Sequence, residues 1–117
     1  MSNQNHLVVF VLDVTTGKPA HNVPVKFMRR RCREDAWQIL DEGATDLEGC
    51  IEHFTFDFSP DNIAQYRLLY NTASYFKRQN VRSLFPHITI DFNPVKNERL
   101  VLPLLISPFA YTTYKGA

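Results

Sequence analysis

The chain has 117 residues, 44% of them hydrophobic and 21% charged, with a formal net charge of +1. This length suits one domain, residues 1–117, with a real core, and the near-zero charge excludes a strong bias toward nucleic acid or membrane surfaces. Apolar runs such as Leu7 to Leu12 are far too short to span a bilayer, and Met1 to His6, without Lys or Arg, does not read as a signal peptide, so a cytoplasmic location is expected.

The first expected strand, Leu7 to Leu12, is apolar on both faces. Thr16-Gly17-Lys18-Pro19 then marks a loop. Val23 to Met28 alternates, with Val23, Val25 and Phe27 on one face. Arg29 to Asp35 is a charge run around Cys32, a residue type that is usually buried. It reads as a solvated hairpin tip, with a basic binding patch as the alternative. Trp37 to Leu40 is a short strand, followed by turns at Asp41-Glu42-Gly43 and Asp46-Leu47-Glu48-Gly49. Ile51 to Phe56 is the next strand, broken by Ser59-Pro60-Asp61-Asn62. Gln65 to Tyr70 leads into the one expected helix, capped by Asn71 or Thr72 and ending near Asn80. His87 to Phe92, Arg99 to Ile106 and Phe109 to Tyr114 complete the strands. About eight short strands and one short helix indicate an all-β, antiparallel two-sheet sandwich.

Two of those strands are apolar on both sides. Val8, Phe10 and Leu12 alternate with Leu7, Val9 and Val11; Leu100, Leu102, Leu104 and Ile106 alternate with Val101, Pro103 and Leu105. A sandwich strand needs only one covered face, so a second cover is required, and with one short helix available that cover is expected to be another subunit. Pro103 cannot donate to a ladder and implies a bulge or a position not bonded to a neighbour.

The sequence carries few chemical motifs. Cys32 and Cys50 are best read as reduced thiols, since no CxxC occurs and a small secreted scaffold carries more cysteine. His6, His21, His53 and His87 show no metal-ligand spacing, so neither metal nor cofactor is expected. His6 and His21 read as surface positions, and His87 as a partly buried strand start.

Several landmarks, in order, resemble one family. They are Val11-Leu12-Asp13 with Thr16-Gly17-Lys18-Pro19-Ala20, then Asn22-Val23-Pro24-Val25, and the G-x-T-x-x-x-G turn from Gly43 to Gly49. Tyr66-Arg67-Leu68 with Thr72 to Phe76, Phe85-Pro86 with Ile88 to Phe92, and the stretch from Pro103 to Ala117 follow. The chain thus resembles the transthyretin-like and 5-hydroxyisourate hydrolase family over nearly its whole length. The resemblance implies a β-sandwich that assembles as a homotetramer, a dimer of dimers, with a channel between dimers that holds active or hormone sites. It places Val8, Phe10, Leu12, Val101, Pro103, Leu105, Thr112 and Tyr114 along that channel and Cys50 near its mouth.

The resemblance also implies a hydrolase site that this chain does not reproduce. Where the family's hydrolases are expected to carry a His before Val-Leu-Asp, an Arg after the turn Gly and a His before the penultimate-strand Pro, this chain has Phe10, Cys50 and Val101. The expected Tyr-Arg-Gly-Ser tail is Tyr114-Lys115-Gly116-Ala117. Phe10 and Val101 cannot exchange protons, and Cys50 lacks the donor fork of Arg. The main expectation is therefore a diverged member whose apolar channel binds or transforms a small aromatic or heterocyclic molecule, in small-molecule biosynthesis by analogy. The alternatives are 5-hydroxyisourate hydrolysis in purine catabolism and a non-catalytic structural tetramer. In the diverged reading Cys50 is a candidate nucleophile or weak acid, with Lys115 lowering its pKa, His53 able to approach, and Tyr114 donating to a substrate carbonyl.

Overall fold

The computed structural model describes residues 4–58 and 64–117, so the expected break at Ser59 to Asn62 lies outside the described residues. In chain order the elements are β1 (Gln4–Asp13), β2 (Lys18–Pro19), β3 (Pro24–Arg30), β4 (Gln38–Ala44), β5 (Cys50–Asp57) and β6 (Gln65–Tyr70). They are followed by α1 (Thr72–Lys77), β7 (Ile88–Phe92), β8 (Arg99–Ser107) and β9 (Ala110–Thr113). One sheet runs β2-β1-β8-β9, with β5 also paired to β1; the other runs β4-β3-β6-β7. This is the expected two-sheet sandwich with a short helix.

Every strand pairing is antiparallel except β1 with β8, which is parallel and unbroken from His6↔Arg99 to Asp13↔Ile106. Alternation of apolar residues carries no strand direction, so the sequence did not reveal this. One face of each of these two strands enters the core, and the other, equally apolar, is the face that needs a second cover. Their inward residues Leu7, Val9, Val11, Leu104 and Ile106 meet Val25, Phe27, Leu68 and Tyr70 of the other sheet in the core. Phe27 anchors it, with the rings of Phe54, Phe56, Tyr66 and Phe92 centred 5.2 to 6.3 Å away.

Several local expectations are corrected. Asp41-Glu42-Gly43 is not a turn but the second half of β4, paired with Phe27, Lys26 and Val25. Gly43 serves close approach: a Cβ there would lie 2.9 Å from His53 Cε1. The true turn is at Gly49, with φ +78°, where the Asp46 carboxylate accepts from the Glu48 and Cys50 amides at 2.9 Å. Lys18–Pro19, expected as loop, pairs with Asp13 and Leu12. The helix stops at Lys77, capped by Asn71, whose side chain accepts from the Ser74 amide at 3.2 Å. Cys32 and His87 are exposed rather than buried.

Two core tyrosines, Tyr66 and Tyr70, have buried hydroxyls without a hydrogen-bond partner. Burial pushes the Tyr70 phenol far above the ordinary value of 10. An unpartnered buried hydroxyl costs about 1–3 kcal/mol. Tyr70→Phe is therefore expected to leave stability at pH 7 unchanged or raised, measured by urea unfolding. The folded pKa is raised, so the unfolded state releases its proton first as pH rises past about 10, and stability falls there. Tyr70→Phe should remove that part of the alkaline loss; a variant that unfolds more easily at neutral pH would refute the account.

Candidate functional site

Odd positions of β1 enter the core, so even positions face outward. The parallel register sets Val8 beside Val101, Phe10 beside Pro103 and Leu12 beside Leu105. On its other side Phe10 is paired with Cys50 of β5, and Leu105 with Thr112 of β9. The positions singled out from the sequence therefore share one sheet face. Phe10 stands between the other two positions singled out at the expected hydrolase site, with Cys50 as its partner on β5 and Val101 diagonal to it on β8. Val8 and Pro103 are buried, while Phe10, Leu12, Val101 and Leu105 are half-buried.

The C-terminal tail runs on from β9 along the edge of β8. The Gly116 amide donates to the Val101 carbonyl at 2.8 Å, and the Thr113 hydroxyl donates to the Pro103 carbonyl at 2.6 Å. A Cβ at Gly116 would lie 3.0 Å from Val101 and 3.3 Å from Pro103, so glycine permits this approach. The same bonds explain Pro103. Backbone groups two residues apart point the same way along a strand, so the Pro103 nitrogen faces the tail, as the Val101 and Pro103 carbonyls do. The β8–β9 register begins at Leu104, and no bulge is needed.

The three candidate catalytic residues sit differently from one another. Tyr114 follows β9 and is 56% exposed. The Lys115 ammonium lies 2.8 Å from the Glu98 carboxylate, an exposed pair of small energetic weight. Burial, followed by the charges of Asp46, Glu52 and Glu48, pushes the Cys50 thiol up. Its Sγ is 3.7 Å from the Glu48 carbonyl. Cys50 is thus a protonated thiol at neutral pH, and Lys115, engaged by Glu98, does not supply the charge that thiolate chemistry would need. His53 turns to β4 instead, with Nε2 3.3 Å from the Glu42 carbonyl and 3.7 Å from Asp41.

The sequence reading missed one pair on this face. His6 and Arg99 are register partners, two residues before Val8 and Val101. An imidazole and a guanidinium thus close one end of the apolar rows, about 13 Å from Phe10 at ~3.3 Å per residue. Starting β1 at Leu7 hid the pair; carrying the outward alternation of Val8 and Phe10 back by one step would have found it. Among the described residues no group of three or more His, Cys, Asp or Glu side chains is placed to hold a metal ion. Among the described residues no helix is long and apolar enough to cross a membrane.

Comparison with known proteins agrees with this geometry. Residues 7–116 match the model of the HIUase/Transthyretin family. A 5-hydroxyisourate hydrolase from Salmonella dublin is 34% identical over 120 residues, covering 99% of this chain and 84% of that protein. The solved 5-hydroxyisourate hydrolase of Klebsiella pneumoniae superposes with a TM-score of 0.74 at 32% identity, over 97% of this chain and 94% of that one. Sea bream transthyretin in complex with thyroxine gives 0.80 at 26% identity, over 95% and 94%. With the match running almost end to end, the chain belongs to the HIUase/transthyretin family.

Proposed function

We propose that the outer face of the β1–β8 pair is the working face and that 5-hydroxyisourate, hydrolysed there, is the first substrate to consider. The observation that carries this reading is the nearly full-length likeness to proteins named 5-hydroxyisourate hydrolase. Hydrolysis needs a base for the attacking water and a donor for the oxyanion that develops. Phe10 and Val101 provide neither, so the groups on this face suited to those roles are His6 as base and Arg99 as cation. The apolar rows would hold a flat heterocycle and exclude water.

The test is the ultraviolet decay of freshly generated 5-hydroxyisourate against its spontaneous rate. The wild type is expected to accelerate it, and His6→Gln to lose about 100-fold or more of that acceleration, the usual weight of a general base. A wild-type rate equal to the blank would refute hydrolysis. A second reading, favoured by Phe10, Val101 and the protonated Cys50, then stands: the same face binds or transforms another small aromatic molecule, as a diverged member. Saturable displacement of an apolar fluorescent dye by aromatic compounds would support it. Both readings place a second copy of the chain over this face, in a homotetramer, because its outward rows are apolar.

A further inference from the structure

The opposite side of the sandwich carries a second constellation. Lys26, Met28 and Arg30 of β3 alternate with the buried Val25 and Phe27, so they face away from the core and from the β1–β8 face. Arg30 is paired with Gln65 of β6, and its Nε donates to the Gln65 side-chain oxygen at 2.8 Å. That bond leaves the Gln65 amide hydrogens free to point elsewhere. Arg30 Nη1 also lies 3.4 Å from the Arg33 carbonyl, which ties the hairpin tip to the strand. The ring of Trp37 is held by two guanidiniums, those of Arg30 and Arg67, each 4.3 Å from its centroid.

The charges here do not balance. Arg67 makes a two-pronged bond to Asp91, at 2.6 and 3.0 Å, which neutralises that carboxylate. Among the described residues neither Arg30 nor Arg33 forms an ion pair. Glu34, on the same exposed tip, is held below its ordinary pKa first by the Cys32 thiol and also by the charge of Arg30. Between these groups is a cleft of about 330 Å³ lined by Arg30, Arg33, Gln65, Asp91 and Asn93, with Tyr66 and Phe92 also in its wall.

Two guanidiniums outside any ion pair, with donors still to spare beside two side-chain amides, suit a multi-oxygen anion, and arginine forks match phosphate oxygens two at a time. The cleft is larger than a lone phosphate and falls at the small end of organic-ligand sites. We propose that it binds a small organic phosphate, with Arg30, Arg33 and the Gln65 and Asn93 amides on the phosphate group. This site is separate from the β1–β8 face and does not depend on what that face does.

Trp37 is the chain's one tryptophan, so its emission reports on the cleft directly. The purified protein is titrated with inorganic phosphate and with glucose 6-phosphate, ionic strength being held constant with sodium chloride. A saturable emission change is expected for both, at lower concentration for the sugar phosphate. Arg33→Gln, which removes a guanidinium not stacked on Trp37, should weaken the apparent affinity about tenfold, the effect of one charged hydrogen bond. Calorimetry should give the same affinities without relying on fluorescence. A response no larger than that to sodium chloride, calorimetric silence, or an affinity unchanged in both Arg33→Gln and Arg30→Gln would overturn the proposal.

Discussion

Asp13→Ala is expected to lower the stability of the folded chain by about 2–4 kcal/mol, seen as a fall of roughly 2 M in the urea midpoint. Asp13 is fully buried. Its carboxylate accepts the Tyr75 hydroxyl at 2.8 Å, the Thr15 amide at 3.0 Å and the Thr15 hydroxyl. Alanine strands the buried Tyr75 hydroxyl, which bears the cost of its own desolvation, and also removes the acceptor that holds the Thr15 amide at the edge of the core. Part of that loss is returned because the charge no longer has to be buried, which keeps the estimate below that for an orphaned ion. Tyr75→Phe removes only one of the bonds and should cost less. Burial first, and then the bond to Asp13, hold the Tyr75 phenol above its ordinary pKa, so the network weakens above about pH 10 and not at neutral pH. If Asp13→Ala unfolds at the wild-type midpoint, the network is not what ties helix α1 to the end of β1.

The second large effect concerns assembly. Leu105→Glu puts a carboxylate among the outward apolar residues, beside Leu12 and Thr112. Leu105 is only half-buried in the single chain, so the fold is expected to survive, with an unchanged far-ultraviolet spectrum. A face-to-face contact would have to bury an unpaired charge in each copy, at a cost of several kcal/mol. Light scattering should therefore show the wild type at four times the 13.6 kDa of one chain and the variant at a smaller multiple. Activity or dye binding on that face should fall with it. A variant of wild-type mass would show that this face is not the contact between dimers.

Apolar spacing, turn residues and the order of short strands were enough to place nearly every element, because each depends on neighbours close in sequence. Val23, Val25 and Phe27 do line the core, and Asn71 does cap the helix. The double-sided character of β1 and β8 was also legible, since it is a matter of residue type alone. Gly43 shows the limit. Its glycine suggested a turn, but it is there because His53, ten residues away, packs over a backbone without a Cβ. The sequence holds the residue and not the neighbour that requires it.

The candidate site divides the same way. That Phe10, Cys50 and Val101 stand where the family's hydrolases are expected to carry polar groups was readable from motif order. Their meeting on one face depends on strand register, which is set by long-range pairing. The carboxylates around Cys50 are its near neighbours in sequence, but the parallel direction of β8 against β1 and the pairing of His6 with Arg99 come from segments far apart in the chain. So does the cleft at Arg30, where the base of the solvated charged tip is tied to Trp37 and to Gln65 of β6. Composition and periodicity therefore settled the sandwich and its apolar outer rows, since burial selects residue type position by position. Which charges face one another was decided only by the folded sheets, because electrostatic partners are chosen by distance in space and leave no period in the sequence.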